Sequence, residues 1–354
     1  VTRARFDTIE VHAEGEPGRV VLNADAFVHG ATMADRLTYC RTHLDDLRKV
    51  LLREPRGYPG LCGVLVLSPV TPGADFGIVV LEQGGFTPMS GSNTMCAVTA
   101  VLETGIVPLV EPVTEVTIDT AVGVVRASAQ VAGGKVVTVA VVNVPAFVVD
   151  LDVPLDIPGF GVLHADIVFG GQFFAQVAAS DCGLELRPEN GRDLARLGAA
   201  IKLAAWEQVV VAHPDNPQVD RVDLVMMHSG HRKAGREDRN TVVVTNGPLR
   251  RDDPSSWTGA LDRSPCGTGT SARMAALHAR GELEIGEEFR HRSIIGSEFL
   301  GRLTGETVVA GRAAVLPTIT GRAWVTGRAQ WTVDETDQFP AGFTVGDIWS
   351  PGAA

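Results

Sequence analysis

Two stretches of the chain carry the residues best placed to do chemistry, and they follow one pattern. The first opens Ser90-Gly91-Ser92-Asn93-Thr94-Met95-Cys96-Ala97 and closes on Gly105; the second opens Cys266-Gly267-Thr268-Gly269-Thr270-Ser271-Ala272-Arg273 and closes on Gly281. Each begins with a protic side chain, then Gly, small and hydroxyl residues, an Ala-rich segment and a Gly fifteen positions from the start. The offset is 176 (266 minus 90), close to half of the 354 residues. The pattern reads as a duplicated loop-then-helix unit, each copy presenting one reactive side chain.

Cys266 is placed where a helix begins. The partial positive charge and free N–H groups of a helix N-terminus favour a thiolate and are expected to lower the thiol pKa. The neighbouring glycines let a ligand carboxylate approach those N–H groups. Ser90 is open to two readings, a cap that satisfies free N–H groups or the partner of Cys266. Two acid–base groups on equivalent helix tips suit removal of a proton from one face of a carbon and its return to the other. Asp262 could either hold a substrate amine or cap the loop before Cys266. Cys40, Cys62, Cys96 and Cys182 have no such setting and read as buried, inert thiols.

Other chemistries find little support. His228-Ser229-Gly230-His231 resembles half of a metal site but lacks a third ligand at useful spacing, so no metal is expected. No dinucleotide fingerprint or phosphate loop occurs, and no lysine has a Schiff-base setting, so no cofactor is expected. The net charge of −11 argues against nucleic acid and anionic membranes as partners. Five widely spaced cysteines signal neither a disulfide framework nor zinc. The first residues lack the apolar stretch of a secretory leader, and no run of about 18 apolar residues exists. A cytoplasmic protein is the expectation.

The elements that must position these groups are mostly short strands. Strands are predicted at residues 6–12, 19–22, 63–68, 77–82, 114–119, 122–130, 135–149, 161–169, 221–227, 241–245, 304–310, 312–317 and 321–333. Helices are predicted over 33–53 and 190–211 and after each reactive residue. The segment after Ser90 is apolar almost all round, so it should be buried on every side, with Gly105 as its left-handed stop. The whole reads as an α/β (α+β) protein of two pseudo-symmetric lobes, each a β-rich, barrel-like sheet around a buried helix. The Pro/Gly-rich stretch 153–161 suggests lobes at 1–163 and 164–334, with the tail 335–354 returning to the first.

With these residues in hand, the chain resembles the proline racemase family. The motifs are Val11-His12-Ala13-Glu14-Gly15-Glu16-Pro17-Gly18-Arg19, Pro88-Met89-Ser90-Gly91-Ser92-Asn93, Phe169-Gly170-Gly171-Gln172-Phe173 and Asp262-Arg263-Ser264-Pro265-Cys266-Gly267-Thr268-Gly269-Thr270. The resemblance implies the two-lobed fold shared with diaminopimelate epimerase and a site between the lobes. It implies a cofactor-independent isomerase with Ser90 and Cys266 as the acid–base pair. Backbone groups at Gly91, Ser92, Gly267 and Thr268 would bind the substrate carboxylate, and Asp262 the ring nitrogen. A homodimer rests on precedent alone.

The first motif departs from the family's commoner Met-Cys-Gly-His-Gly, with Ser90 for Cys and Ser92-Asn93 for His-Gly. A hydroxyl is a far weaker acid than a thiol and needs a neighbouring base or strong donors. The expected function is hydroxyproline 2-epimerase, converting trans-4- or trans-3-hydroxy-L-proline to its cis-D epimer. The alternative is trans-3-hydroxy-L-proline dehydratase, which needs one base at Cα and loses the 3-hydroxyl to give a pyrroline-2-carboxylate. A third reading is an imino-acid-binding protein without catalysis.

Overall fold

A computed structural model describes residues 4–214, 219–230, 238–245, 247–346 and 348–349. They divide into two compact units: one takes the chain up to Val141 and again from Thr320 to Trp349, the other Val142–Ile319.

The first unit contains β1 (Ala4–Ala13), β2 (Glu16–Val21), α1 (Met33–His43), α2 (Asp45–Leu52), β3 (Cys62–Leu67), β4 (Phe76–Glu82), β5 (Gly85–Thr87), α3 (Gly91–Glu103), β6 (Val113–Thr120), β7 (Gly123–Ala132) and β8 (Lys135–Val142). The second contains β9 (Phe147–Ile157), β10 (Gly161–Phe169), β11 (Phe173–Ala178), α4 (Gly191–Gln208), β12 (Leu224–His228), β13 (Asp238–Thr245), β14 (Gly259–Leu261), α5 (Gly267–Ala279), β15 (Glu288–Arg292), β16 (Glu298–Val309) and β17 (Arg312–Gly321). The last strand, β18 (Ala323–Val333), returns to the first unit.

Strand pairing in the two units is the same, step for step. In the first, β18, β1 and β2 are antiparallel neighbours, β2 and β3 parallel, and β3 and β4 antiparallel. There β4 carries β5 antiparallel and β6 parallel, and β6 pairs antiparallel with β7. In the second, β9, β10 and β11 are antiparallel neighbours, β11 and β12 parallel, and β12 and β13 antiparallel. There β13 carries β14 antiparallel and β15 parallel, and β15 pairs antiparallel with β16. Helix α3 packs on β18, β1, β2 and β7, and α5 packs on the equivalent β9, β10, β11 and β16.

Burial of both sheet faces explains the sequences of β3, β4, β11 and β12. Strand β3 reads Cys-Gly-Val-Leu-Val-Leu with hardly a polar residue, as a strand covered on both sides must. Alternate side chains point to opposite faces. Leu65, Leu67, Val79 and Leu81 join Leu37, Cys40, Leu51 and Leu52 of α1 and α2 in one core. The opposite face, with Val64 and Val80 fully buried, is left for α3. The second unit repeats this with α4, whose Leu194, Leu197, Ile201 and Ala204 pack with Val225, Met227 and Val243. No described helix is long and apolar enough to cross a membrane.

Several boundaries differ from the sequence expectation. A division at 163/164 would cut the β9–β10 hairpin, in which Leu155 pairs with Leu163 and Pro154 with His164. Leu155 and Ile157 belong to the second unit's core, so the Pro/Gly-rich stretch is strand and turn, and the division falls at 141/142. The chain crosses again at 319/320, and β18 pairs with β1 from Ala4↔Val333 to Ala13↔Ala323. The helix expected over 33–53 is two helices broken at Leu44, where Asp45 restarts the turn and pairs with Arg48 at 2.7 Å and Lys49 at 2.9 Å. The strand expected over 135–149 is split at 143–146, where Asn143 and Ala146 donate to Pro317 and Val315. The tail reaches the first unit through Phe343, bridged to Glu54, and through Trp349, whose indole donates to the Glu54 carboxylate at 2.7 Å.

Candidate active site

Ser90 and Cys266 occupy the same place in the two units, one residue before a helix of thirteen residues. Both helices are buried along nearly their whole length. Both end alike: Thr104 and Arg280 donate back to Ala100 and Ala276, and Gly105 and Gly281 follow at φ +76° and +71°. Such left-handed residues favour glycine and close the last turn.

The second tip is tightly determined. Cys266 has φ +63° and ψ +116°, outside the ordinary regions for a non-glycine residue, a conformation costing of order 1–3 kcal/mol that its surroundings must impose. Its N–H donates to the Ser264 hydroxyl at 3.1 Å, and that hydroxyl and the Ser264 N–H both donate to Asp262 Oδ1, at 2.9 and 2.8 Å. The preceding carbonyl, Pro265 O, accepts from Asn240 Nδ2 at 3.1 Å and Thr270 Oγ1 at 3.2 Å. Behind them the fully buried His291 meets both Asn240 and Thr270. Asp262 Oδ1 therefore braces the loop, one of the two roles that its position left open.

The thiol itself accepts from the Gly269 N–H at 3.3 Å and lies 3.6 Å from Thr268 Oγ1. A side chain at 269 would stand 3.1 Å from Sγ, so this approach needs glycine. The expectation of a lowered thiol pKa is not met. Burial, and after it the Asp262 carboxylate, push the Cys266 thiol well up, while Thr268 and the Gly269 N–H oppose them. One N–H at a helix tip does not offset the loss of water around a thiolate. Gly170 explains the paired glycines of the third motif: a Cβ there would meet Thr268 O at 2.4 Å and Ala272 N at 2.5 Å, so β10 can touch the first turn of α5 only with glycine.

At the first tip Ser90 stands at the N-cap with an extended backbone (φ −147°, ψ 133°), yet its hydroxyl makes no capping hydrogen bond. The carbonyl of Ser90, not the hydroxyl, takes part in the helix, accepting from Thr94 N at 2.9 Å and Thr94 Oγ1 at 2.8 Å. The hydroxyl instead accepts from Asn93 Nδ2 at 3.2 Å and lies 3.4 Å from Ser92 Oγ. The first N–H groups of each helix have no acceptor within the helix, which leaves those at Gly91 and Ser92, and at Gly267 and Thr268, suited to an anion.

The structure adds a residue to this tip that sequence reasoning assigned to inert packing. Cys62, at the start of β3, accepts from Asn93 Nδ2 at 3.3 Å and donates to Pro17 O at 2.8 Å. Burial, then the Glu16 carboxylate, push its thiol well up, so it is a neutral group. The signal for this contact is the parallel pairing of Gly18 with Cys62, which no local pattern announces. Gly18 is there for closeness: a Cβ would meet Cys96 Sγ at 2.8 Å and Asn93 Oδ1 at 3.3 Å. The rest of the first motif shapes the β1–β2 turn. Gly15 N donates to His12 Nδ1 at 3.1 Å, the His12 ring stacks on Trp324 at 5.0 Å, and buried Glu14 pairs with Arg322 at 2.8 Å.

His228, of the histidine pair from which no metal site was expected, accepts the Gly230 N–H at 3.0 Å, and His231 lies outside the described residues. Among the described residues no three His, Cys, Asp or Glu side chains are grouped to hold a metal.

Comparison with known proteins shows the family. The proline racemase family pattern matches residues 8–344. Proline racemase of Clostridioides difficile is 39% identical over 338 residues, covering 96% of this chain and 97% of that protein. A 4-hydroxyproline 2-epimerase of Rhizobium etli is 40% identical over 347 residues, covering 98% and 96%. The crystal structure of a hydroxyproline epimerase from Agrobacterium vitis, with bound trans-4-hydroxy-L-proline, superposes with a TM-score of 0.88 at 37% identity, covering 99% and 98%. The chain, with its duplicated units and two helix-tip residues, belongs to the proline racemase family.

Proposed function

We propose that the protein is a hydroxyproline 2-epimerase acting on trans-4-hydroxy-L-proline, with Ser90 and Cys266 as its acid–base pair. The carrying observation is the equivalence of the two tips. Ser90 and Cys266 each stand one residue before a buried helix of thirteen residues, in units of the same strand pairing. Relatives of about 40% identity named 4-hydroxyproline 2-epimerase support the substrate class. One side chain takes the Cα proton while the other delivers a proton to the opposite face, which inverts Cα and leaves the ring hydroxyl untouched.

The substrate carboxylate would be held by the N–H groups at Gly91, Ser92, Gly267 and Thr268, and its cationic ring nitrogen by Asp262. Burial first, and the Asp262 carboxylate after it, keep the Cys266 thiol up; the ammonium would offset the carboxylate's share, so substrate itself would help to release the thiolate. The reaction is proton transfer alone and calls for no cofactor, and the cytoplasm suits its free thiols.

Chiral chromatography after incubation with trans-4-hydroxy-L-proline, trans-3-hydroxy-L-proline and L-proline tests this reading. The expected result is cis-4-hydroxy-D-proline as the main product. A pyrroline from the 3-hydroxy isomer with no epimer of the 4-hydroxy isomer would assign the dehydration instead. Binding without turnover of any of the three would leave only a binding protein.

A further inference from the structure

The weak point of a Ser/Cys pair is the serine, whose hydroxyl must carry negative charge whenever its proton is away. We propose that Asn93, anchored by Cys62, is the positioning residue that makes Ser90 competent, an inference that rests on the epimerase reading for its catalytic consequence. Three observations lead there. The Asn93 side chain is 2% exposed, and its amide donates to Ser90 Oγ at 3.2 Å. The same Nδ2 has a second hydrogen, directed to Cys62 Sγ at 3.3 Å. The Cys62 thiol in turn donates to Pro17 O, so its sulfur has lone pairs to offer, and burial keeps it uncharged. The amide is thus held between a neutral sulfur and the serine oxygen.

The arrangement favours the charged form of Oγ. When Ser90 delivers its proton to one face of Cα and Cys266 takes the proton from the other, the thiolate becomes a thiol and the hydroxyl an alkoxide. The pair resets by exchanging protons with solvent. A fixed N–H donor strengthens its bond as the oxygen gains charge, and it is worth most in a site poor in water. Because the hydroxyl accepts from Asn93 rather than donating to it, that bond does not use the hydroxyl hydrogen. The second unit uses the same offset: Gly269, three residues past Cys266, donates its backbone N–H to Sγ. A hydroxyl is a far weaker acid than a thiol and depends more on its donor, and Asn93 supplies one from its side chain.

Two measurements test this. In the active protein, Asn93→Ala is expected to lower kcat about 100-fold, the usual cost of one lost donor to a developing oxyanion, with KM changed only a few-fold. With Ser90→Cys as background, the same substitution is expected to cost less than tenfold, because a thiol depends less on the donor. Equal losses in both backgrounds would reduce Asn93 to a structural role. The second measurement needs no turnover: in Ser90→Cys protein, the pH midpoint for alkylation of residue 90, followed by peptide mass, should rise by about one unit on adding Asn93→Ala. That is a tenfold change in thiolate population. An unchanged midpoint overturns the proposal, whereas a shifted midpoint in a protein that epimerises no hydroxyproline upholds the donor and overturns the epimerase reading alone. Should Asn93→Ala not fold, Cys62→Ala frees the same amide and is expected to raise the midpoint by a smaller step; no step overturns the anchoring.

Discussion

Asn93 and Gly269 stand three residues past Ser90 and Cys266, and each donates one hydrogen bond to the side chain before it, to Oγ at 3.2 Å and to Sγ at 3.3 Å. One uses a side-chain amide and the other the backbone. The two units therefore place a donor at the same offset from different helix-tip side chains.

Substitution of the two glycines around α5 should separate chemistry from stability. In Gly269→Ala the new methyl meets Cys266 Sγ at 3.1 Å and the flexible end of Met226 at 2.7 Å, so the sulfur must move. The expected outcome is a kcat at least tenfold lower with unfolding free energy changed by less than about 1.5 kcal/mol. In Gly170→Ala the methyl meets backbone atoms of α5, which cannot yield, and the cost should be about 3 kcal/mol or more. Urea denaturation beside initial rates measures both.

The Asp238–Arg273 pair should be a strong structural determinant of the second unit. Its N–O distance is 2.7 Å with both side chains almost fully buried, and Asp238 also accepts from Ser229 Oγ at 2.8 Å. Burial alone would raise the Asp238 pKa, but Arg273, His291 and His228 together outweigh it and hold the carboxyl below its usual range. Asp238→Ala leaves a guanidinium buried without its counter-charge, so a loss of about 3–5 kcal/mol is expected. Denaturant melts of the variant check it.

His291 predicts how stability depends on pH. Burial lowers its pKa to about 4, with Asp238 opposing and Arg273 assisting. The unfolded side chain titrates near ~6.5, so between those values the unfolded chain binds a proton that the folded one does not. Stability is therefore expected to fall as pH drops from about 6.5 toward 4, by up to about 1.4 kcal/mol per unit. The loss tied to Asp238, whose folded pKa is depressed, begins lower, as pH falls below the ordinary carboxylate value. Denaturation midpoints from pH 8 to 4 should show the first slope in the parent and not in His291→Gln.

The parts legible in the sequence were those written locally. Met95 to Leu102 announce a helix buried all round, and the spacing from Ser90 to Gly105 and from Cys266 to Gly281 announces the duplication and both caps. What escaped was written at a distance. Nothing near Val333 shows that it pairs with Ala4, so the return of β18 to the first unit could not be read from periodicity. Leu44 breaks a helix without Gly or Pro, because the acidic pair that follows restarts it. Cys62 resembled any apolar strand residue until β2 and β3 placed it beside Asn93. The thiol pKa at Cys266 went the other way because burial and Asp262 outweigh the helix tip.

The most direct measurement of the central claim is proton NMR of trans-4-hydroxy-L-proline with the protein in deuterated water. The account predicts that the cis-D epimer appears with deuterium at Cα, and that Cys266→Ala slows its appearance by at least about 100-fold. Retention of the Cα proton in the epimer, or full activity of Cys266→Ala, would contradict it.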